Sequence, residues 1–312
     1  MRGTALSLLT LAVLTIPSAA QFTFAPINVP GAVATEARGI NNSGEVVGFY
    51  YSSNSCVEPT EVQFPNCPIH GFKIVNGTLV KLMVPNSTST AILGVNDYGD
   101  LVGFCVTSDG YTHGFLWLHT NVVTLLNAPG GGPNSDEHTV AFAVNKALTI
   151  AGGLWFYSTP QGSGGWVWSR GGFSTMDPGE TAGSECCVSV NGISNNGYLS
   201  GTSLHQNFVS AWVKNGTDED FYPLTTDTTG TAVNSNADTI GYFTGGKGFF
   251  SKHIELNEGT SDAVEVKPGF ISVAYPGAAA TYPMGLNDSR WIAGTYRDSG
   301  GVRHGFIAKP NF

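Results

Sequence analysis

Basic residues are scarce in this chain, 14 Lys and Arg among 312 residues against 23 Asp and Glu. A nucleic-acid surface needs clustered cations, so that class of partner is not expected. Charge of either sign is low at 12%, while aromatics reach 11%, the reverse of a disordered chain. The sequence has no Cys-x-x-Cys pair, no Gly-x-Ser-x-Gly elbow, no His-Glu-x-x-His and no phosphate loop. No cofactor and no metal site is therefore expected from motif. The one long apolar run, Ala5 to Ile16, is shorter than the roughly 20 residues of a membrane helix, so no membrane span is expected.

What that run does resemble is an export signal. Arg2 gives a basic start, and Pro17, Ser18, Ala19 and Ala20 place small residues before Gln21. Residues 1–20 read as a secretory signal peptide and 21–312 as one mature domain. The expected location is secreted, extracellular or periplasmic. Five cysteines then sit in an oxidising compartment. Cys56 and Cys67 share one loop-like stretch and are expected to bond. Cys105, Cys186 and Cys187 leave an odd thiol with several possible pairings.

Glycine is abundant, 41 residues, and it recurs in register. Gly39-Ile40-Asn41-Asn42-Ser43-Gly44-Glu45-Val46-Val47-Gly48 is closely matched by Gly94 to Gly103. Weaker copies centre on Asn145, Ser194, Asn234 and Asn287, each followed seven residues on by glycine: Gly48, Gly103, Gly152, Gly201, Gly241 and Gly294. The intervals are 55, 49, 49, 40 and 53 residues, a blade-like period. A second motif follows in each unit. It is clear at His70-Gly71-Phe72, His113-Gly114-Phe115 and His304-Gly305-Phe306, and degenerate at Gly165-Trp166, Ala211-Trp212 and Gly248-Phe249. Several units close on Pro, as at Val84-Pro85, Ala128-Pro129 and Tyr275-Pro276. Proline suits a strand end or edge.

One unit reads as four strands: Thr35 to Asn41, Glu45 to Tyr50, His70 to Val75 and Thr78 to Val84, with Asn76-Gly77 as a hairpin turn. Six such meanders predict an all-β, six-bladed β-propeller of four-stranded antiparallel blades. The last unit lacks a fourth strand, and the segment from Phe22 has no unit of its own. It is expected to close the ring as an N-terminal strand, leaving no open edge. The glycines before the first turn are expected where inner strands converge. Gly48 and its equivalents are expected to leave room for an aromatic from the adjacent blade. A seven-bladed ring, with strands in 254–270, and an open solenoid are the competing architectures.

The Gly-Ile-Asn-x-x-Gly unit followed by His-Gly-Phe resembles the bacterial extracellular family of HAF (His-Ala-Phe) repeats, with Gly where that family has Ala. The resemblance is strong in units one, two and six and loose in three to five. It implies secretion and a repeat array, and no catalytic residue is carried over from it.

His70, His113 and His304 occupy equivalent positions and tempt a metal reading. Equivalent positions on packed sheets lie about 10 Å apart, too far for one shared ion. Buried imidazoles tying one blade to another are expected instead. The Asn set is expected to bond its own turns. Thr35, Thr90, Thr139, Thr228 and Thr281 are expected to make structural hydroxyl bonds. The long loops joining second to third strands share a face with those joining blades. That face carries the candidate ligand-binding residues Asp136, Glu137, His138, Tyr111, His205 and Arg303. No residue is assigned a catalytic role. The expected function is a secreted binding or scaffold protein, presenting this face to a glycan or a surface protein. The alternative is a polysaccharide hydrolase or lyase using loop carboxylates.

Overall fold

The computed structural model describes residues 21–53, 69–129, 137–156, 164–176, 188–205, 208–215, 218–221, 227–252 and 269–312. Residues 1–20, Cys56, Cys67, Asp136, Cys186 and Cys187 lie outside the described residues, so the expected signal and disulfide lie there too. So does most of the 254–270 stretch.

The chain starts with β1 (Phe22–Ile27). Blade one is β2 (Ala34–Ile40), β3 (Val46–Tyr51), β4 (Ile69–Val75) and β5 (Thr78–Leu82). Blade two is β6 (Ser87–Val95), β7 (Leu101–Thr107), β8 (Thr112–Trp117) and β9 (Val123–Leu126). Blade three is β10 (Glu137–Val144), β11 (Ile150–Phe156), β12 (Gly164–Ser169) and β13 (Gly172–Met176). Blade four is β14 (Ser189–Ile193), β15 (Leu199–His205), β16 (Phe208–Asn215) and β17 (Asp218–Phe221). Blade five is β18 (Thr228–Val233), β19 (Thr239–Phe243), β20 (Lys247–Ser251) and β21 (Ile271–Val273). Blade six is β22 (Ala280–Leu286), β23 (Ile292–Arg297) and β24 (Arg303–Pro310), completed by β1. The protein is a six-bladed β-propeller.

Closure follows the sequence expectation. β1 pairs antiparallel with β24, from Phe22 opposite Pro310 to Ile27 opposite Gly305. Phe22 and the C-terminal Phe312 meet edge to face at 5.6 Å, and Asn311 N–H donates to Gln21 O. The first and last strands of the described residues thus share one sheet.

Each first hairpin turns by the same device. Gly44 N–H donates to Asn41 O, Asn41 N–H to Glu45 O, and Gly44 takes φ +78°. That left-handed step is cheap for glycine. Leu148, Ala237 and Arg290 adopt it too, at φ 57°, 57° and 62°. Asn41 Oδ1 accepts from Ser43 and Glu45 N–H, the local bonding expected. Its Nδ2 does more, donating across the blade boundary to Asn96 O at 2.9 Å. Asn96, Asn145, Asn234 and Asn287 repeat the bridge to Asn145, Ser194, Asn287 and Asn41 respectively. The pattern is a belt of amide bridges around the axis, interrupted at Ser194.

The second motif supplies the blade cores. Phe72, Phe115, Trp166, Trp212, Phe249 and Phe306 are all almost fully buried, one per blade. Each contributes about 2–3 kcal/mol of burial. A Cβ on Gly48 would lie 1.9 Å from Glu36 O and 2.9 Å from the Phe72 ring. Phe72 pairs with Gly48 within one sheet, so the aromatic comes from the same blade and not the adjacent one. The inner-strand glycines behave as expected. A Cβ on Gly39 would stand 2.9 Å from Leu93 O and 3.2 Å from Gly94 Cα of the next blade.

Candidate functional site

The connections between blades cross the loop face and are pinned by buried threonines. Thr35 Oγ1 accepts from Val29 N–H, Thr90 from Val84, Thr139 from Ala128 and Thr281 from Tyr275, each at 3.0 Å. Thr228 takes Ala211 N–H at the same distance. These are structural hydroxyl bonds, as expected; in four cases the residue held lies in a crossing and precedes a proline, and in the fifth it lies within β16. Asn28, Asn127 and Ala274, which precede three of the anchored crossing residues, are exposed.

The repeat histidines stand beside those crossings. They are half-buried and act within their blade, which corrects the expectation of buried imidazoles between blades. Register explains it: each His lies at the loop end of the third strand, level with the exit of the fourth. His304 Nδ1 is 3.0 Å from Asn28 Oδ1, and its Nε2 is 3.1 Å from Asp298 Oδ2. His113 Nδ1 lies 2.7 Å from Asn127 Oδ1. His70 instead meets Met83 Sδ at 3.2 Å and Ser52 Oγ at 3.5 Å. Asn28, Met83 and Asn127 are equivalent, each two residues before a crossing proline.

Blade six carries the fullest version. Tyr275 and Tyr296 stack with centroids 3.7 Å apart and 7° between planes, and His304 continues the column at 5.0 Å and 22°. Phe24 abuts Tyr275 edge-on at 5.4 Å. Hydrogen bonding from His304 and from Val302 and Gly300 N–H holds the Asp298 carboxyl below its usual range. Burial, aided by Tyr275, pushes the Tyr296 phenol up to about 12. The result is a carboxylate, an exposed amide and an imidazole around half-buried aromatic edges. In blade one, Tyr50 stacks near His70 at 5.3 Å, with Lys81 Nζ 4.9 Å from the Tyr50 ring.

The sequence candidates scatter around the ring. Tyr111 lies in the turn before β8, with its N–H on Asp109. Glu137 and His138 begin strand β10 and are not loop residues; His138 is buried. His205 ends β15 in blade four. Arg303 begins β24 and turns toward blade one, where its Nη1 lies 2.9 Å from Glu36 Oε1. Glu36 is 1% exposed and also accepts from Arg38 Nη2. Burial alone raises this carboxyl, but Arg38 and Arg303 outweigh it and hold it below its ordinary value. Cys105 is a free thiol in β7, pushed up to about 12 by burial.

Sequence reasoning missed Asn28, Asn127, Tyr275, Tyr296, Glu36 and Arg38. The first two were visible as the residue two before a crossing proline in units whose third strand has His. Glu36 and Arg38 had no repeat signal, because their equivalents in blade two are Ala91 and Leu93.

No family model and no curated protein matches the chain. Solved structures do. The β-propeller domain of the Trilobed protease from Pyrococcus furiosus is 8% identical, with a TM-score of 0.46 over 89% of this chain and 94% of that one. The Aleuria aurantia lectin in complex with Fucalpha1-6GlcNAc is 11% identical, with a TM-score of 0.47 over 88% and 93%. The SapL1 lectin in complex with alpha methyl fucoside is 9% identical, with a TM-score of 0.49 over 89% and 96%. The assignment of six blades here rests on the strand pairing itself.

Proposed function

We propose that this is an exported, non-catalytic binding protein whose loop face takes an extracellular glycan. The observation that carries the reading is the blade-six unit of Asn28, Asp298, His304, Tyr275 and Tyr296. A polyhydroxylated ring offers donors and acceptors around its rim and C–H groups on its faces. An amide offers both polarities and a carboxylate accepts at two oxygens. Tyrosine gives rigid, amphipathic contact area at low entropic cost. The same His and amide recur in blade two at the equivalent crossing. Supporting export is the segment before Gln21, with its basic start, apolar run and small residues.

The test is depletion of the purified protein by a panel of insoluble polysaccharides. Selective depletion is expected, weakened by Asn28→Ala combined with Asp298→Ala, with the melting temperature little changed. Asn28 is exposed and Asp298 is half-buried in a turn whose two N–H bonds it accepts, so their removal is expected to cost about 1 kcal/mol without loss of folding. No depletion by any polymer overturns the glycan reading and moves the search to surface proteins.

A further inference from the structure

Every inner strand has a bulge at the same step. The inserted residues are Arg38, Leu93, Phe142, Asn191, Thr231 and Met284. A bulge re-aims its side chain. These residues meet neighbouring blades beside the axis. Asn191 Nδ2 donates to Gly230 O at 2.7 Å, and Thr231 Oγ1 to Pro283 O at 2.8 Å. Arg38 Nη1 meets Met284 Sδ at 3.4 Å. All but Thr231 are only half-buried although their strands are innermost, so their exposed parts face the axial opening.

On the hairpin-turn face, side chains tie the inner turns together. Asn195 Nδ2 of blade four reaches Asp97 Oδ2 of blade two at 3.1 Å. Asn42 Nδ2 reaches Asp97 at 3.0 Å and Asp288 of blade six at 2.8 Å. Blades two and four flank blade three, whose Lys146 Nζ lies 3.0 Å from the same Asp97 carboxylate, so these side chains lace neighbouring turns together around the axis.

Arg38 is the charged member of its wall. It shares the buried Glu36 carboxylate with Arg303. Its remaining contacts are a thioether, a weak acceptor, and the Phe49 ring at 5.2 Å. Leu93, Phe142 and Met284 add apolar wall. A guanidinium held by a sulfur atom exchanges it readily for a carboxylate oxygen, which makes a stronger, charge-assisted bond.

We infer that the axial opening binds a small organic carboxylate with an apolar body. The carboxylate replaces the Met284 sulfur on Arg38, and the apolar body lies against Leu93 and Phe142. This site is separate from the blade-six surface unit.

Calorimetric titration of the purified protein with benzoate tests it, with benzamide as the uncharged isostere at matched ionic strength. Benzoate is expected to bind and benzamide not to. Arg38→Gln weakens benzoate by about tenfold or more, the loss of one charge-assisted bond. Leu93→Trp narrows the opening, leaves the Glu36 pair intact and weakens benzoate to the same degree. Tyr98→Ala, exposed on the opposite face, leaves it unchanged. Absence of benzoate binding, equal binding of benzamide, or wild-type affinity in Leu93→Trp overturns the inference.

Discussion

The side-chain amide of Asn287 donates to the backbone carbonyl of Asn41 at 3.0 Å, joining residues 246 apart in sequence. It is the bridge that links the last blade to the first, and four others like it connect blades elsewhere. The belt opens only between blades four and five. There Ser194 uses its hydroxyl to accept from Tyr198 N–H and has no amide to reach Asn234 O. Asn191 and Asn196 hold that seam instead, bonding Gly230 O and Ser235 O.

Ser194→Asn should complete the belt. The new Oδ1 accepts the local N–H groups as in the other turns, and the new Nδ2 gains a buried carbonyl. A net gain of about 1 kcal/mol is expected, read as a higher urea midpoint at unchanged slope. A variant no more stable than the parent would show that Asn191 and Asn196 already supply all that the seam can hold.

The fourth residue of each first turn offers a backbone test free of packing. Gly197 has φ +88°, and a Cβ there would meet nothing within 4 Å. Gly197→Ala is therefore expected to cost about 1 kcal/mol from left-handed strain alone. Ala237 takes the same step at φ 57°. Ala237→Gly relieves that strain but loses a buried methyl and backbone rigidity, so its net change is expected to lie within about 0.5 kcal/mol of zero. Thermal melts of the two variants check the asymmetry.

Glu36 should give stability a pH dependence. Its carboxyl is depressed in the folded state, so its contribution is complete above the ordinary glutamate value and lost as pH falls through the lower folded value. Glu36→Gln removes the buried anion that Arg38 and Arg303 share and is expected to cost about 3 kcal/mol at pH 7. Once the native carboxyl is protonated in acid, wild type and variant should converge. Urea midpoints of both proteins at pH 7 and near pH 3 decide this, and a gap that stays constant across that range refutes it.

Repeat periodicity made the architecture readable, because blade cores need the same aromatic and the same glycine six times. Phe72 and Gly48 were found for that reason, although their contact lies within a blade. The histidines were found by repetition too, but their partners were not. Asn28 and Asn127 come from the fourth strand, and strand order alone does not set which side chains meet at its exit. Glu36 was invisible because it breaks the repeat. Its partner Arg303 was chosen only as a loop charge, and the contact between them depends on how blade six abuts blade one.

Ring closure by the N-terminal strand gives the sharpest test of the fold. A chain that begins at Thr35 lacks β1, Val29 and Asn28. It loses the Phe22 contacts with Phe250 and Phe312 at 6.2 and 5.6 Å, the His304–Asn28 bond and the N–H held by Thr35. It also uncovers β24 along six paired positions. An exposed edge of that length invites pairing with another chain. The expected outcome is an aggregated or unfolded protein, and adding the peptide Gln21 to Gly31 in excess should restore part of the folded signal. A truncated chain that stays monomeric and melts with the parent would mean that β1 only decorates the ring.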